Sequence, residues 1–210
     1  MAPTKVVKKE GSPLKIRELP IPAVDDANLR MSYRIARGEQ GVLTFGEPSR
    51  GLALTVSEPY KSYLLPHWRF KTIPIAQASS KSLWEAFEHY VKAGDLVGAD
   101  MARKFIQMGM TRAKRYANHK GGRKYDRSER EMERDGGVRS ELPKSEAHEG
   151  RDEKLGASEV FKEVWKRCTS TESYLELKTE FLAEQKVWDR EQKKKVKEEK
   201  VVVKDEEKDD

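Results

Sequence analysis

Apolar residues recur at helical spacing in the middle of the chain and predict two consecutive helices. The first opens with Ser82-Leu-Trp-Glu85, the sequence of a capping box, and its apolar stripe continues through Phe87 and Val91. Gly94 predicts where this helix stops, because glycine tolerates the left-handed backbone that ends many helices. Asp95 suits the N-cap of the helix that follows.

The second helix is predicted over about 96–117 and has two unlike faces. At 100° per residue, one face collects small and apolar side chains, namely Ala102, Phe105, Ile106, Gly109, Ala113 and Tyr116. The opposite side collects polar and basic ones, namely Arg103, Lys104, Gln107, Thr111, Lys114, Arg115 and Asn118. A glycine on the packed face predicts the close approach of another backbone at Gly109.

Alternation with a period of two predicts strands before these helices. Val42–Phe45 and Leu52–Val56 flank a polar loop with two glycines and a proline, a pattern typical of two joined strands. His67-Trp-Arg-Phe-Lys71 also alternates, so a strand there has its basic side chains on one face and its two aromatic side chains on the other. We therefore expect an α+β fold, with a small antiparallel sheet packed on two or more helices.

Helical periodicity returns in the C-terminal third. One apolar stripe contains Phe161, Val164, Trp165 and Cys168, at positions i, i+3, i+4 and i+7. A second run begins at Thr169-x-x-Glu172, read as a cap, and has Tyr174, Leu177, Phe181 and Trp188 on one face. These two runs predict a helical hairpin that either docks on the core or binds a protein partner.

These patterns divide the chain into five segments. We expect a flexible N-terminal arm (1–28), a folded core (29–127), a charged linker (128–157), the helical hairpin (158–192) and a mixed-charge tail (193–210).

Composition narrows the class of protein. Among the 210 residues, 36% are hydrophobic and 37% are charged, which predicts a modest core with long solvated segments. Cys168 is the single cysteine and the four histidines are scattered, so neither a disulfide framework nor a metal site is expected. No cofactor is predicted. The chain lacks an apolar run long enough to span a bilayer, and we expect a cytoplasmic or nuclear protein without membrane contact.

Positive charge is concentrated in residues 103–127. This stretch contains nine lysines and arginines and a single acid, Asp126. So many cations on one compact element repel each other unless an anion lies nearby, and nucleic acid or another polyanion is the expected partner.

A binding site follows from this stretch. On the helix, we expect phosphate contacts from Arg103, Lys114 and Arg115. In the loop, we expect four side chains to close over the ligand, namely His119, Lys120, Arg123 and Lys124. Gly121 and Gly122 leave backbone amides open to an anion. Tyr116, His119 or Tyr125 would stack on bases, and Arg69 would line the same groove. The alternative is a solvated helix end, whose cations complement the helix dipole.

Two other functions stay open in the sequence. An enzyme on a phosphorylated substrate would use His67 or His119 as the acid–base group and a pocket that includes Arg37. An interaction module would instead expose a Phe161, Trp165 and Trp188 stripe on its C-terminal helices. Whether the chain is an enzyme is undecided at this level, and no catalytic residue is assigned.

The core also resembles the family "domain of unknown function 4385". The residues that carry the resemblance are Tyr33-Arg34, Arg37-Gly-Glu-Gln-Gly-Val-Leu43, Glu58-Pro-Tyr-Lys61, Leu65-Pro-His-Trp-Arg-Phe-Lys-Thr72, Gly94-Asp95, Asp100-Met-Ala-Arg-Lys-Phe105 and Tyr116-Ala-Asn-His-Lys-Gly-Gly-Arg-Lys-Tyr125. It covers roughly 32–126, with Gly46–Thr55 as an insertion and the C-terminal hairpin outside it. The resemblance implies a compact domain whose hallmark is the basic helix and loop. It implies no activity, substrate or cofactor.

Overall fold

The structure, a computed structural model, describes residues 14–20, 33, 59–145 and 147–206. Its α-helices are α1 (Tyr60–Leu64), α2 (Ile73–Lys92), α3 (Leu96–Asn118), α4 (Glu129–Asp135), α5 (Arg151–Ser170) and α6 (Glu172–Glu206). Short 3-10 turns lie at Ile16–Glu18, Leu65–His67 and Lys120–Gly122. The bounds of the five segments predicted from sequence stay predictions.

The described part of the chain is mostly helical, so the predicted α+β fold is wrong. Residues 68–70 have no helical assignment, but among the described residues they pair with no strand, and the Arg69 amide donates to Ser79 Oγ of α2 at 3.0 Å. The β-type pairing found among the described residues is an isolated bridge between Tyr125 and Glu141. The predicted strands 42–45 and 52–56 lie outside the described residues.

Helices α2, α3 and α5 form the core. A short connection folds α3 back along α2, and α5 packs against both, most extensively against α3. The buried side chains between them are mainly aromatic and aliphatic, including Leu83, Phe87, Phe105, Ile106 and Phe161. Since α5 contributes to this core, the C-terminal hairpin docks rather than standing apart as a free arm.

The turn between α2 and α3 is as the sequence predicts. Gly94 adopts a positive φ of 72° just after α2, and Asp95 Oδ1 accepts a hydrogen bond from the Gly98 amide at 2.9 Å. The predicted start at Ser82-Leu-Trp-Glu85 is wrong, because α2 begins nine residues earlier, at Ile73. Proline in the first turn marks that true start, and the Ile73 amide donates to Glu153 Oε2 at 2.9 Å.

Two glycines let the helices approach closely. A Cβ on Gly109 of α3 would lie 2.6 Å from ring atoms of Phe161 on α5, and one on Gly156 of α5 would lie 2.5 Å from Ile73 Cδ1. The prediction that another backbone approaches Gly109 is therefore wrong in its partner: the close neighbour is the side-chain ring of Phe161.

The two C-terminal helices are separated by a break at Thr171. The predicted Thr169-x-x-Glu172 cap is wrong, because α5 continues to Ser170 and Thr169 Oγ1 donates back to the carbonyl of Trp165 at 3.1 Å. The apolar stripes themselves are confirmed: Phe161, Cys168, Tyr174 and Phe181 are buried. Across the described ranges, no helix has the length and apolar character needed to cross a membrane.

Candidate anion-binding site

The first half of α3 places its basic side chains against an internal carboxylate. Arg103 Nε donates to Asp100 Oδ1 at 2.6 Å, and Lys104 Nζ lies 3.3 Å from Asp100 Oδ2. The hydroxyl of Tyr174 on α6 donates to Oδ1 at 2.7 Å, and that of Tyr33 donates to Oδ2. Arg103, predicted to contact phosphate, is thus part of this buried network in the structure.

The charge balance of this network is visible in the pKa of Asp100. Burial alone would raise the pKa of this carboxyl, but Lys104 and Arg103 outweigh burial and hold it well below its ordinary value. Asp100 therefore stays ionised inside the fold, where it neutralises one of the two cations beside it.

Most basic side chains in the second half of α3 and in the loop after it are exposed, unlike those in the first half. Lys114, Arg115, Lys120 and Arg123 are exposed, and within the described part of the chain no carboxylate oxygen lies within 4.0 Å of their charged groups. Lys124 differs, since its ammonium pairs with Glu141 at 3.2 Å. Lys114, Arg115, Lys120 and Arg123 are thus exposed cations without a close ion pair among the described residues, although Glu159 and Glu131 interact at longer range with Lys114 and Arg123.

The loop keeps its shape through two glycines. His119 leaves the helix in an extended conformation, and Gly121 and Gly122 follow with φ of 67° and 73°. The Gly122 amide donates to His119 O at 2.8 Å, and the Lys120 amide donates to Ser145 Oγ at 3.3 Å. These two amides are already used inside the loop, so a ligand would be held there mainly by side chains.

Residues from the following segment brace this loop. The Leu142 amide donates to Lys124 O at 2.9 Å, and the Asp126 amide donates to Ser140 O at 3.1 Å. From the helix side, Arg115 Nε donates to Gly122 O at 2.7 Å. The basic loop is therefore held in this shape by hydrogen bonds within the chain.

Three parts of the chain meet at Tyr116, near the end of α3. A Cβ on Gly122 would lie 2.8–3.0 Å from atoms of the Tyr116 ring, so the loop packs directly on it. The Phe70 ring lies 6.0 Å away between centroids, and Lys154 Nζ of α5 lies 5.7 Å from the ring centroid. We call the residues Phe70, Lys71, Tyr116, Gly122 and Lys154 the Tyr116 cluster.

Lys154 brings a further cation to the Tyr116 cluster. Its ammonium donates to Phe70 O at 3.0 Å and lies 5.2 Å from the Phe70 ring centroid. Burial lowers the pKa of Lys154, and the nearby charge of Lys71 lowers it further. Sequence reasoning missed Lys154 because it lies in the segment predicted to be a linker. No local motif marks it; only the docking of α5 places it here.

The chain is similar to one known protein family. It matches the family described as "Domain of unknown function (DUF4385)" over residues 17–184. The chain belongs to this family. The match is longer than the expected 32–126 and takes in α5 and the first turns of α6. Searches of curated proteins and of solved structures return no match.

Within this DUF4385 chain, the other predicted site residues lie in different surroundings. His119 is only 4% exposed, and its Nδ1 is buried without a hydrogen-bond partner. The Tyr125 ring is covered by Arg139, whose guanidinium carbon lies 4.2 Å from the centroid, and by Lys124 at 5.1 Å. The His119 ring is therefore not accessible to a ligand in this conformation, and the Tyr125 ring is only partly exposed.

Only part of the predicted catalytic pocket lies among the described residues, so the pocket itself stays a prediction. His67 is partly buried, and its pKa is lowered by burial and by the neighbouring charge of Arg69. Arg69 is exposed, and its Nη1 donates to the carbonyls of Leu65 and Trp68 at 3.1 and 2.8 Å. Arg37 lies outside the described residues.

Proposed function

We propose that the C-terminal end of α3 and the loop after it bind a phosphate-rich polyanion, with nucleic acid as the leading candidate. The observation that carries this proposal is a set of exposed cations that, among the described residues, have no carboxylate oxygen within 4.0 Å. Lys114, Arg115, Lys120 and Arg123 belong to it, and Lys71 and Lys154 adjoin it in the Tyr116 cluster.

Such a concentration of cations has an energetic cost in the free protein. Each cation raises the potential felt by the others: the pKa of Lys154 is lowered mainly by burial and, to a smaller extent, by the charge of Lys71. A polyanion relieves this repulsion, and its own condensed counter-ions are released when lysine and arginine replace them. Binding of this kind gains affinity from many weak phosphate contacts and falls steeply as salt is added.

The helix dipole alone does not account for these cations. Cations near a helix C-terminus gain about 0.3–1 kcal/mol from its exposed carbonyls. Arg115 is bonded to a carbonyl at this end, that of Gly122. Among the described residues, Lys114 and Lys120 make no side-chain hydrogen bond or ion pair, so their side chains remain available to a ligand.

Binding to short labelled DNA and RNA strands, measured by fluorescence anisotropy across a salt series, tests the proposal. The test variant is Lys114→Gln with Lys120→Gln, since neither side chain supports the fold. The matched control is Lys81→Gln with Lys92→Gln, which removes the same charge from exposed positions on α2. We expect salt-sensitive binding by the wild type and the control.

The plot of log affinity against log salt should be shallower for the test variant, by a slope of about one for each phosphate that it no longer neutralises. An equal change in both variants would mean that only net charge matters, and the proposed location would be wrong. An absence of binding to every strand at low salt would contradict the proposed function itself.

A further inference from the structure

We infer that the ligand of this site is a single-stranded nucleic acid and that the Tyr116 ring contacts one of its unpaired bases, an inference that rests on the proposed function. The structure singles out this ring among the aromatic residues of the basic region. Tyr116 is 37% exposed. His119 is buried, Tyr125 is covered by Arg139 and Lys124, and Phe70 is partly buried beside Trp68.

The Tyr116 ring is held in place before any ligand arrives. Gly122 packs on it so closely that a methyl group there would overlap the ring. Its backbone carbonyl is also held, by a contact of 3.1 Å with Nε2 of His148. A ring fixed by its neighbours loses little conformational freedom on binding, and this favours stacking.

Several segments that pack on this ring carry cations. Lys154 reaches it from α5, Lys71 belongs to the segment that contacts Lys154, and Arg115 and Lys120 flank it on α3 and in the loop. An exposed aromatic ring among lysines and arginines is the arrangement that contacts a base and its flanking phosphates together. Lysines alone would provide charge without an aromatic surface.

The aromatic contact favours single strands over duplexes. In a duplex the flat faces of the bases are stacked on each other, and only base edges reach the grooves. A tyrosine ring can meet a base face only where the base is unpaired. A purely electrostatic surface would lack this preference and would bind the more densely charged duplex at least as well.

A comparison of oligomers on the unaltered full-length protein tests this inference first. The probes are a labelled thymidine oligomer, an abasic oligomer of the same length and backbone charge, and the duplex form. We expect tighter binding to the thymidine strand than to either of the others. The abasic strand should bind about tenfold more weakly, the scale of removing one base from an aromatic ring.

Two variants then locate the base contact. Tyr116→Phe keeps the ring and should keep the preference for thymidine over the abasic strand. Tyr116→Leu keeps apolar bulk against Gly122 but removes the ring, so the preference should vanish while the salt dependence is unchanged. Thermal melting checks that each variant is folded.

The outcomes separate this inference from the proposed function. Equal binding of thymidine and abasic strands by the wild type, or tighter binding of the duplex, would overturn the inference and leave polyanion binding intact. A preference that survives in folded Tyr116→Leu would overturn the assignment to Tyr116. Loss of all binding at low salt would overturn the proposed function beneath it.

Discussion

Identical charges serve opposite purposes at the two ends of α3. Arg103 and Lys104 face a buried carboxylate and belong to the fold, whereas Lys114 near the other end and Lys120 in the following loop are exposed and, among the described residues, have no carboxylate oxygen within 4.0 Å. The sequence places all four in one basic stretch, 103–127, because position in a sequence does not reveal what packs over a side chain. Asp100 is the residue that distinguishes them.

Replacing Asp100 should change how stability depends on pH. Its folded pKa lies below the ordinary value of 3.8, so its ionised form adds stability that is present above about pH 4 and is lost as pH falls. Asp100→Asn should cost about 3–5 kcal/mol at neutral pH, since it leaves buried cations unpaired. As pH falls below about 4, the free energy of unfolding of Asp100→Asn should decrease less steeply than that of the wild type. The two slopes should differ by up to about 1.4 kcal/mol per pH unit.

Urea unfolding at several pH values measures this difference. Asp152→Asn is the matched control, since Asp152 has a side chain that is 93% exposed, and it should retain the wild-type slope. An Asp100→Asn variant with wild-type stability at neutral pH and a wild-type slope in acid would show that the buried network does not stabilise the fold.

Among the elements, contact between α3 and α5 depends on the absence of a side chain at Gly109. In an ordinary helix interior, glycine to alanine gains about 0.5–1 kcal/mol. Here the added methyl group would meet the Phe161 ring at 2.6 Å. We expect Gly109→Ala to reverse the usual sign and destabilise the protein by about 1–3 kcal/mol.

A double-mutant cycle identifies the cause. In a Phe161→Leu background the ring is gone, so adding Gly109→Ala should cost clearly less than it does in the wild type. Chemical denaturation of the four proteins supplies the coupling energy. A stabilising Gly109→Ala, or the same cost in both backgrounds, would mean that the two helices do not meet at this point.

Local signals in the sequence predicted some elements correctly and others wrongly. Gly94 and Asp95 act through neighbouring backbone groups, so the end of α2 and the start of α3 followed from them. The alternation at 67–71 was real but misleading: Trp68 and Phe70 pack towards Phe105 and Tyr116 of α3, with no neighbouring strand to pair with. Short alternating runs cannot distinguish a strand from an extended segment lying on a helix.

Across the whole molecule, the candidate site is assembled from distant parts of the chain. Its α3 and loop cations were predictable because they are contiguous and rich in charge. The contribution of Lys154 was not, since it depends on α5 docking across α2 and α3, and the burial of His119 was equally invisible. Tertiary packing thus decides which of the predicted residues can reach a ligand.

Lysine acetylation footprinting of the full chain, with and without a bound thymidine oligomer, tests the location of the site most directly. Lys71, Lys114 and Lys120 are exposed in the free protein and should become protected when the strand binds. Lys81 and Lys92 on α2, which are also exposed, should react as before. Uniform protection of all five, or protection confined to the tail around Lys193, would contradict a binding site at the end of α3.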